Sequence, residues 1–138
     1  MKKLFIPILL FLIISAQAQT ENQSDSLRKD AVKLFIDCRF CDMNHIRREI
    51  PYVNYVRDVK EAEVYLRVNS ESTGSGGRQY SLIFEGQSKY EGMNDTLFFA
   101  ARPDDTREHR RQARTKMMKM GLMRYVAHTP IFKEIDIR

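Results

Sequence analysis

Val32-Lys33-Leu34-Phe35-Ile36-Asp37-Cys38-Arg39-Phe40-Cys41-Asp42 carries a strand, a cysteine pair and a helix start in immediate succession. Val32, Leu34, Ile36 and Cys38 alternate with Lys33, Phe35 and Asp37. That period of two predicts a strand with one face buried. Asp42 follows as a helix cap, because a carboxylate there accepts from the free N–H groups of the first turn. Met43, Ile46 and Ile50 recur at helical spacing and give that helix an inward face. Pro51 ends it, since proline disfavours helix in the residue before it and donates no backbone hydrogen bond. Cys38 and Cys41 are the only cysteines in the chain and stand where strand passes to helix.

Working outward, Tyr52 to Val56 is a short β-prone run, followed by a charged turn from Arg57 to Glu61. Ala62, Val64, Leu66 and Val68 alternate with polar neighbours in the clearest strand signal of the sequence. Residues 72–77, rich in glycine and serine, read as a hairpin tip. Tyr80, Leu82 and Phe84 mark the next strand, residues 86–94 a turn region, and residues 96–101 a final strand. Pro103-Asp104-Asp105 then stops that strand. Asp105 with Glu108 resembles a capping box for a long helix over about 106–126. Its second half places Met117, Met118, Gly121, Leu122 and Tyr125 on one face, while its first half carries Arg107, Arg110, Arg111 and Arg114. The order β-α-β-β-β-β-α predicts an α+β fold: a single, mostly antiparallel sheet with two helices on one face. The second half of the long helix is expected to pack on the sheet and the first half to project past its edge.

The N-terminal residues 1–18 read as a cleavable signal peptide. Lys2 and Lys3 form a positive region, residues 4–14 an apolar one, and Ala16-Gln17-Ala18 a small-x-small cleavage site. The apolar run falls short of the about 20 residues a membrane span needs. Residues 19–30 read as a flexible polar leader, 31–128 as one folded domain and 129–138 as a C-terminal tail. The expected destination is the periplasm or the outer-membrane surface, with no transmembrane span left after signal removal. The whole chain has 23 basic and 18 acidic residues. Loss of the two signal lysines leaves a mild positive excess, which favours anionic surfaces weakly and makes no case for nucleic acid.

In that oxidising setting the cysteine pair is expected to form a Cys38–Cys41 disulfide. Two roles fit its position. It braces the strand end against the helix start, or it works as a thiol–disulfide oxidoreductase, since a Cys-x-x-Cys pair at a helix start has a lowered thiol pKa. The chain has no tryptophan before the first cysteine and no downstream proline placed as a substrate-binding one would be, which favours the brace. His45 is the nearest further metal ligand, and two thiols with one histidine fall short of the usual four, so neither a metal nor another cofactor is expected. The three histidines are far apart, and no nucleophile elbow, catalytic triad or phosphate loop is present. No catalytic residue is therefore assigned. The arginines at 107, 110, 111 and 114 are the candidate contact with an anionic membrane surface or an acidic envelope protein, set against the plainer reading of a solvated helix face. Asp25-Ser26-Leu27 and Asp95-Thr96-Leu97 resemble short O-glycosylation acceptors.

Several of these segments together resemble a domain of uncharacterised exported proteins of Gram-negative bacteria. They are Phe35-Ile36-Asp37-Cys38, Cys41-Asp42, Ile46-Arg47-Arg48-Glu49-Ile50, Val53-Asn54-Tyr55-Val56-Arg57-Asp58, Ala62-Glu63-Val64 and Gly121-Leu122-Met123-Arg124-Tyr125-Val126. Thr73-Gly74 with Gly76-Gly77, and Asp95-Thr96-Leu97, fit the same pattern. The resemblance implies a periplasmic module that often precedes an outer-membrane barrel-like region, and it implies no activity. In strand and helix order the chain is also similar to the N-terminal domain of the TolB translocation protein and to CsgG-like domains. Relative to the longer proteins it stops at Arg138, which leaves a following barrel open. The expected function is a non-catalytic interaction or structural module, with the oxidoreductase as the alternative.

Overall fold

The stretch 32–42 folds as its alternation requires. In a computed structural model of the chain, which describes residues 26–136, Lys33–Asp37 form strand β1 and Met43–Glu49 form helix α1. The signal peptide expected at 1–18 lies outside the described residues, as does the leader up to residue 25. Asp42 caps α1 with its carboxylate, Oδ1 accepting from the His45 N–H at 3.0 Å. The helix stops at Glu49, two residues before Pro51. Strand β2 is Asn54–Tyr55, β3 is Val64–Ser72, β4 is Arg78–Gly86 and β5 is Asp95–Ala101. Helix α2 spans Arg107–Val126. Its cap is Thr106, whose Oγ1 accepts from the His109 N–H, and not the expected Asp105. The Asp105 carboxylate instead accepts from the Arg102 N–H and pairs with the His109 ring.

The fold is α+β as expected, but the sheet is mixed where a mostly antiparallel one was predicted. Its order is β2-β1-β3-β4-β5. β1 pairs in parallel with both β2 and β3, and only β3-β4-β5 is antiparallel. The reason lies in the connections. Helix α1 carries the chain back before β2 begins, so β2 must run the same way as β1. The link from Val56 to Glu63 then crosses from one side of β1 to the other. The Val56 N–H donates to the Leu34 carbonyl and the Glu63 N–H to the Lys33 carbonyl. Alternation of side chains is blind to this choice of direction.

The helical arrangement also departs from two helices. Residues 26–29, expected within the leader, are helical, and Asn54 Nδ2 donates to the Arg28 carbonyl at 2.7 Å. Pro130–Glu134 forms a 3-10 helix in the expected tail, next to the buried Thr129. Another 3-10 turn, Ser88–Tyr90, brings Tyr90 into the core, where its hydroxyl donates to the Tyr125 carbonyl. The β3–β4 hairpin tip is where it was expected, with Gly76 at a φ of 87° that a side chain would resist.

One core joins these elements. Leu34, Leu66, Leu82 and Phe84 from the sheet meet Ile46 and Ile50 of α1 and Met118, Leu122 and Val126 of α2. Strand register fixes what else shares that face. Ser70 lies opposite Tyr80, Tyr80 opposite Phe99, and Ser72 opposite Arg78. Toward the hairpin end, therefore, the helix-facing side of the sheet changes from apolar to polar.

Candidate functional site

Arg107, Arg110, Arg111 and Arg114 recur at i, i+3, i+4 and i+7, so they form one stripe of α2. Met118, Gly121, Leu122 and Tyr125 continue the same stripe into the core. The core-facing side of the helix thus turns from apolar to cationic at the point where the sheet opposite does the same. Between them lies an open cleft of about 640 Å³. Its helical wall is the four arginines, and β4 supplies a fifth, Arg78, beside Ser70 and Tyr80. Phe40 and Asp42, from the segment around the disulfide, close the third side.

The four arginines singled out from the sequence are therefore together, but they are not equivalent. Arg114 is only 8% exposed. Its guanidinium carbon lies 5.2 Å from the centroid of the Phe40 ring and 5.7 Å from that of Tyr80. Tyr80 in turn stacks on Phe99 at 4.7 Å, with the rings inclined by 10°. Burial pulls the Arg114 pKa down, the charges of Arg110 and Arg111 push the same way, and Tyr80 opposes them. It stays protonated at any physiological pH. Arg111 donates to Asp42 Oδ2 at 3.0 Å and also pairs with Glu108. Among the described residues Arg107 and Arg110 have no carboxylate partner. Arg78 donates to the Ser70 hydroxyl at 2.8 Å.

Five guanidinium groups thus line one concavity with a single carboxylate, Asp42. The Asp42 pKa is lowered first by the His45 N–H that it caps and then by Arg111, with desolvation opposing. Such a lining can hold an oxyanion by forked hydrogen bonds.

The expected Cys38–Cys41 disulfide is formed. Both sulfurs border the core, and Phe40 between them is the ring under Arg114. The bridge therefore positions one wall of the cleft. His45 is buried on α1, and its Nε2 has no hydrogen-bond partner. No group of three or more metal-ligating side chains occurs among the described residues. Asp37 accepts from the Tyr65 hydroxyl across the sheet at 2.9 Å. Thr96, of the second glycosylation-like triplet, is exposed on β5, and the first triplet begins outside the described residues. A second groove, of about 620 Å³, lies among Pro51, Tyr52, Met120, Met123, Ile131 and Ile135, outside the sheet–helix core.

Sequence reasoning did not find Arg78, Phe40 or Tyr80. A signal for Arg78 was present, since it is in phase with Tyr80, Leu82 and Phe84 and so belongs to the core-facing set of β4. Phe40 gave none, because its position follows from the bridge and the helix beyond it. Compared with protein-family models, curated proteins and solved structures, the chain matches none. No helix among the described residues is long and apolar enough to cross a membrane.

Proposed function

We propose that this chain is an exported, non-catalytic interaction module that takes an anionic group of an envelope component into the arginine-lined cleft. The signal-like N-terminus and the resemblance to exported domains support the compartment. One observation carries the binding reading: five arginines converge on one concave lining that holds one carboxylate. Like charges repel, and a purely structural surface spreads them; gathering them costs stability that an anionic ligand offsets. The disulfide serves as a brace in this reading, because it holds Phe40 against Arg114.

The test is retention of the purified processed chain on immobilised polyphosphate as salt is raised. Elution well above the salt that releases an Arg107→Glu/Arg110→Glu variant supports the reading. Coincident elution of the two removes it. The oxidoreductase reading is tested separately by reduction of insulin in the presence of dithiothreitol; turnover that Cys38→Ser abolishes would replace the brace with a catalytic thiol.

A further inference from the structure

We propose that the cleft binds a phosphorylated sugar, with the phosphoryl group on the arginines and one face of the sugar ring on Phe40. This rests on the anion-binding reading above and narrows it to a ligand class. Three features of the lining point the same way.

The first is the nature of the cations. Every one is arginine. Guanidinium forks match tetrahedral and planar oxyanions, whereas lysine serves equally well for diffuse attraction. Arg111 is already shared by Asp42 and Glu108, which leaves Arg78, Arg107, Arg110 and Arg114 to meet the ligand. A carboxylate presents one charge and two oxygens. A phosphate monoester presents nearly two charges and three strong acceptors, and so matches this excess better.

The second is the aromatic wall. Phe40 is 45% exposed, although one side of its ring is covered by Arg114 and Tyr80. Tyr80 itself stacks on Phe99, has the Arg114 guanidinium over its ring and is buried. One apolar platform thus remains open beside the arginines. A sugar ring has one apolar face to lay there.

The third is the lone acid. A carboxylate is out of place in a site built for charge alone. The Asp42 side chain keeps 42% of its surface exposed, although it caps α1 and pairs with Arg111. Its free acceptor capacity suits sugar hydroxyls, as does the Ser70 hydroxyl across the cleft. The volume of about 640 Å³ exceeds what a bare oxyanion fills and falls in the range of small-molecule sites.

The experiment is isothermal titration of the processed chain with glucose 1-phosphate, glucose, inorganic phosphate and galacturonate. Glucose 1-phosphate should bind about tenfold or more tightly than inorganic phosphate or galacturonate, and glucose alone should not bind. Arg107→Gln, at an exposed position, should weaken glucose 1-phosphate and inorganic phosphate alike. Phe40→Leu should bring glucose 1-phosphate down to the level of inorganic phosphate, and circular dichroism of that variant verifies folding. Equal affinity for glucose 1-phosphate, phosphate and galacturonate overturns the sugar phosphate and leaves a general anion site. Binding to phosphatidic acid vesicles that glucose 1-phosphate does not displace overturns it in favour of a lipid surface. Absence of binding to every anion overturns this inference and the anion-binding reading together.

Discussion

Arg114 lies over Phe40, with its guanidinium carbon 5.2 Å from the ring centroid, and this pairing joins the long helix to the disulfide segment. The two residues come from opposite ends of the domain. Arg114 stands one helical turn before Met118, where the core begins, and Phe40 stands inside the Cys38–Cys41 loop. The stack therefore seals the core at its cationic end.

A lysine at this position keeps the charge and loses the planar stack. Arg114→Lys should cost about 1–2 kcal/mol, because cation–π contacts of desolvated guanidinium are worth that much and ammonium does not reproduce the geometry. Arg114→Met should cost less than Arg114→Ala, since it refills the space between two rings. Urea denaturation of the three variants checks the order.

Loss of the bridge should act twice. The chain-entropy contribution of so short a loop is about 2 kcal/mol, so Cys38→Ser/Cys41→Ser should be less stable by roughly that amount. The same variant should bind inorganic phosphate more weakly, because Phe40 and Asp42 are no longer held beside the arginines. Thermal melting and titration read the two effects separately. Unchanged anion affinity in a folded double variant would show that the bridge does not position the cleft.

At Gly121, α2 packs directly against the Phe84 ring of β4. A Cβ built there would lie 2.2 Å from Phe84 Cζ and 2.3 Å from Cε2. Phe84 is fully buried in the core, so any shift of its ring must displace other core side chains. Gly121→Ala gains helix propensity of up to about 1 kcal/mol, but overpacking of a dense core typically costs 1–3 kcal/mol. The net effect should be destabilising, seen as a lower melting temperature, whereas Ala at the exposed Met120 should be tolerated.

Acid should loosen the link between the helices and the capping of α1. Asp42 is held below the usual carboxylate range by the His45 N–H and Arg111, and Glu49 by its 2.8 Å pair with Lys119. Asp105 is lowered too, chiefly by the Arg102 N–H. With folded pKa values below the unfolded ones, the unfolded chain binds more protons in between. Stability is therefore fully present above the unfolded values and is lost as pH falls from about 4 through the lowered folded values. Stability measured by urea from pH 6 to 2 should be flat at first and then decline. Glu49→Gln/Lys119→Met should flatten part of that decline.

Much of the architecture was legible in particular residues. Leu34, Leu66 and Leu82 each announced a strand by their phase, and Asp42 and Pro51 marked both ends of α1. The cap of α2 was misplaced by one residue because Asp105 and Thr106 are both good caps, and the Arg102 N–H competes for Asp105. The helical turn at 26–29 was missed because its polar residues show no period, and its hold on the fold is a long-range bond to Asn54. Of the cleft, the four arginines of α2 were legible as a group. Arg78, Phe40 and Tyr80 were not joined to them, since their meeting depends on strand register and on where α2 crosses the sheet.

The amino-acid sequence by itself determined the element types, the caps of α1, the cysteine spacing that allows a bridge and the cluster of arginines at the start of α2. These are properties of neighbours along the chain, set by backbone sterics, hydrogen-bond capping and side-chain periodicity. Only the tertiary structure decided that β1 runs parallel to both its partners and that Arg114 turns inward over Phe40 and Tyr80, with the other arginines of α2 lining the cleft beside it. Strand direction and the facing of a charged stripe are settled by which distant surfaces pack together, and no local pattern of residues encodes that.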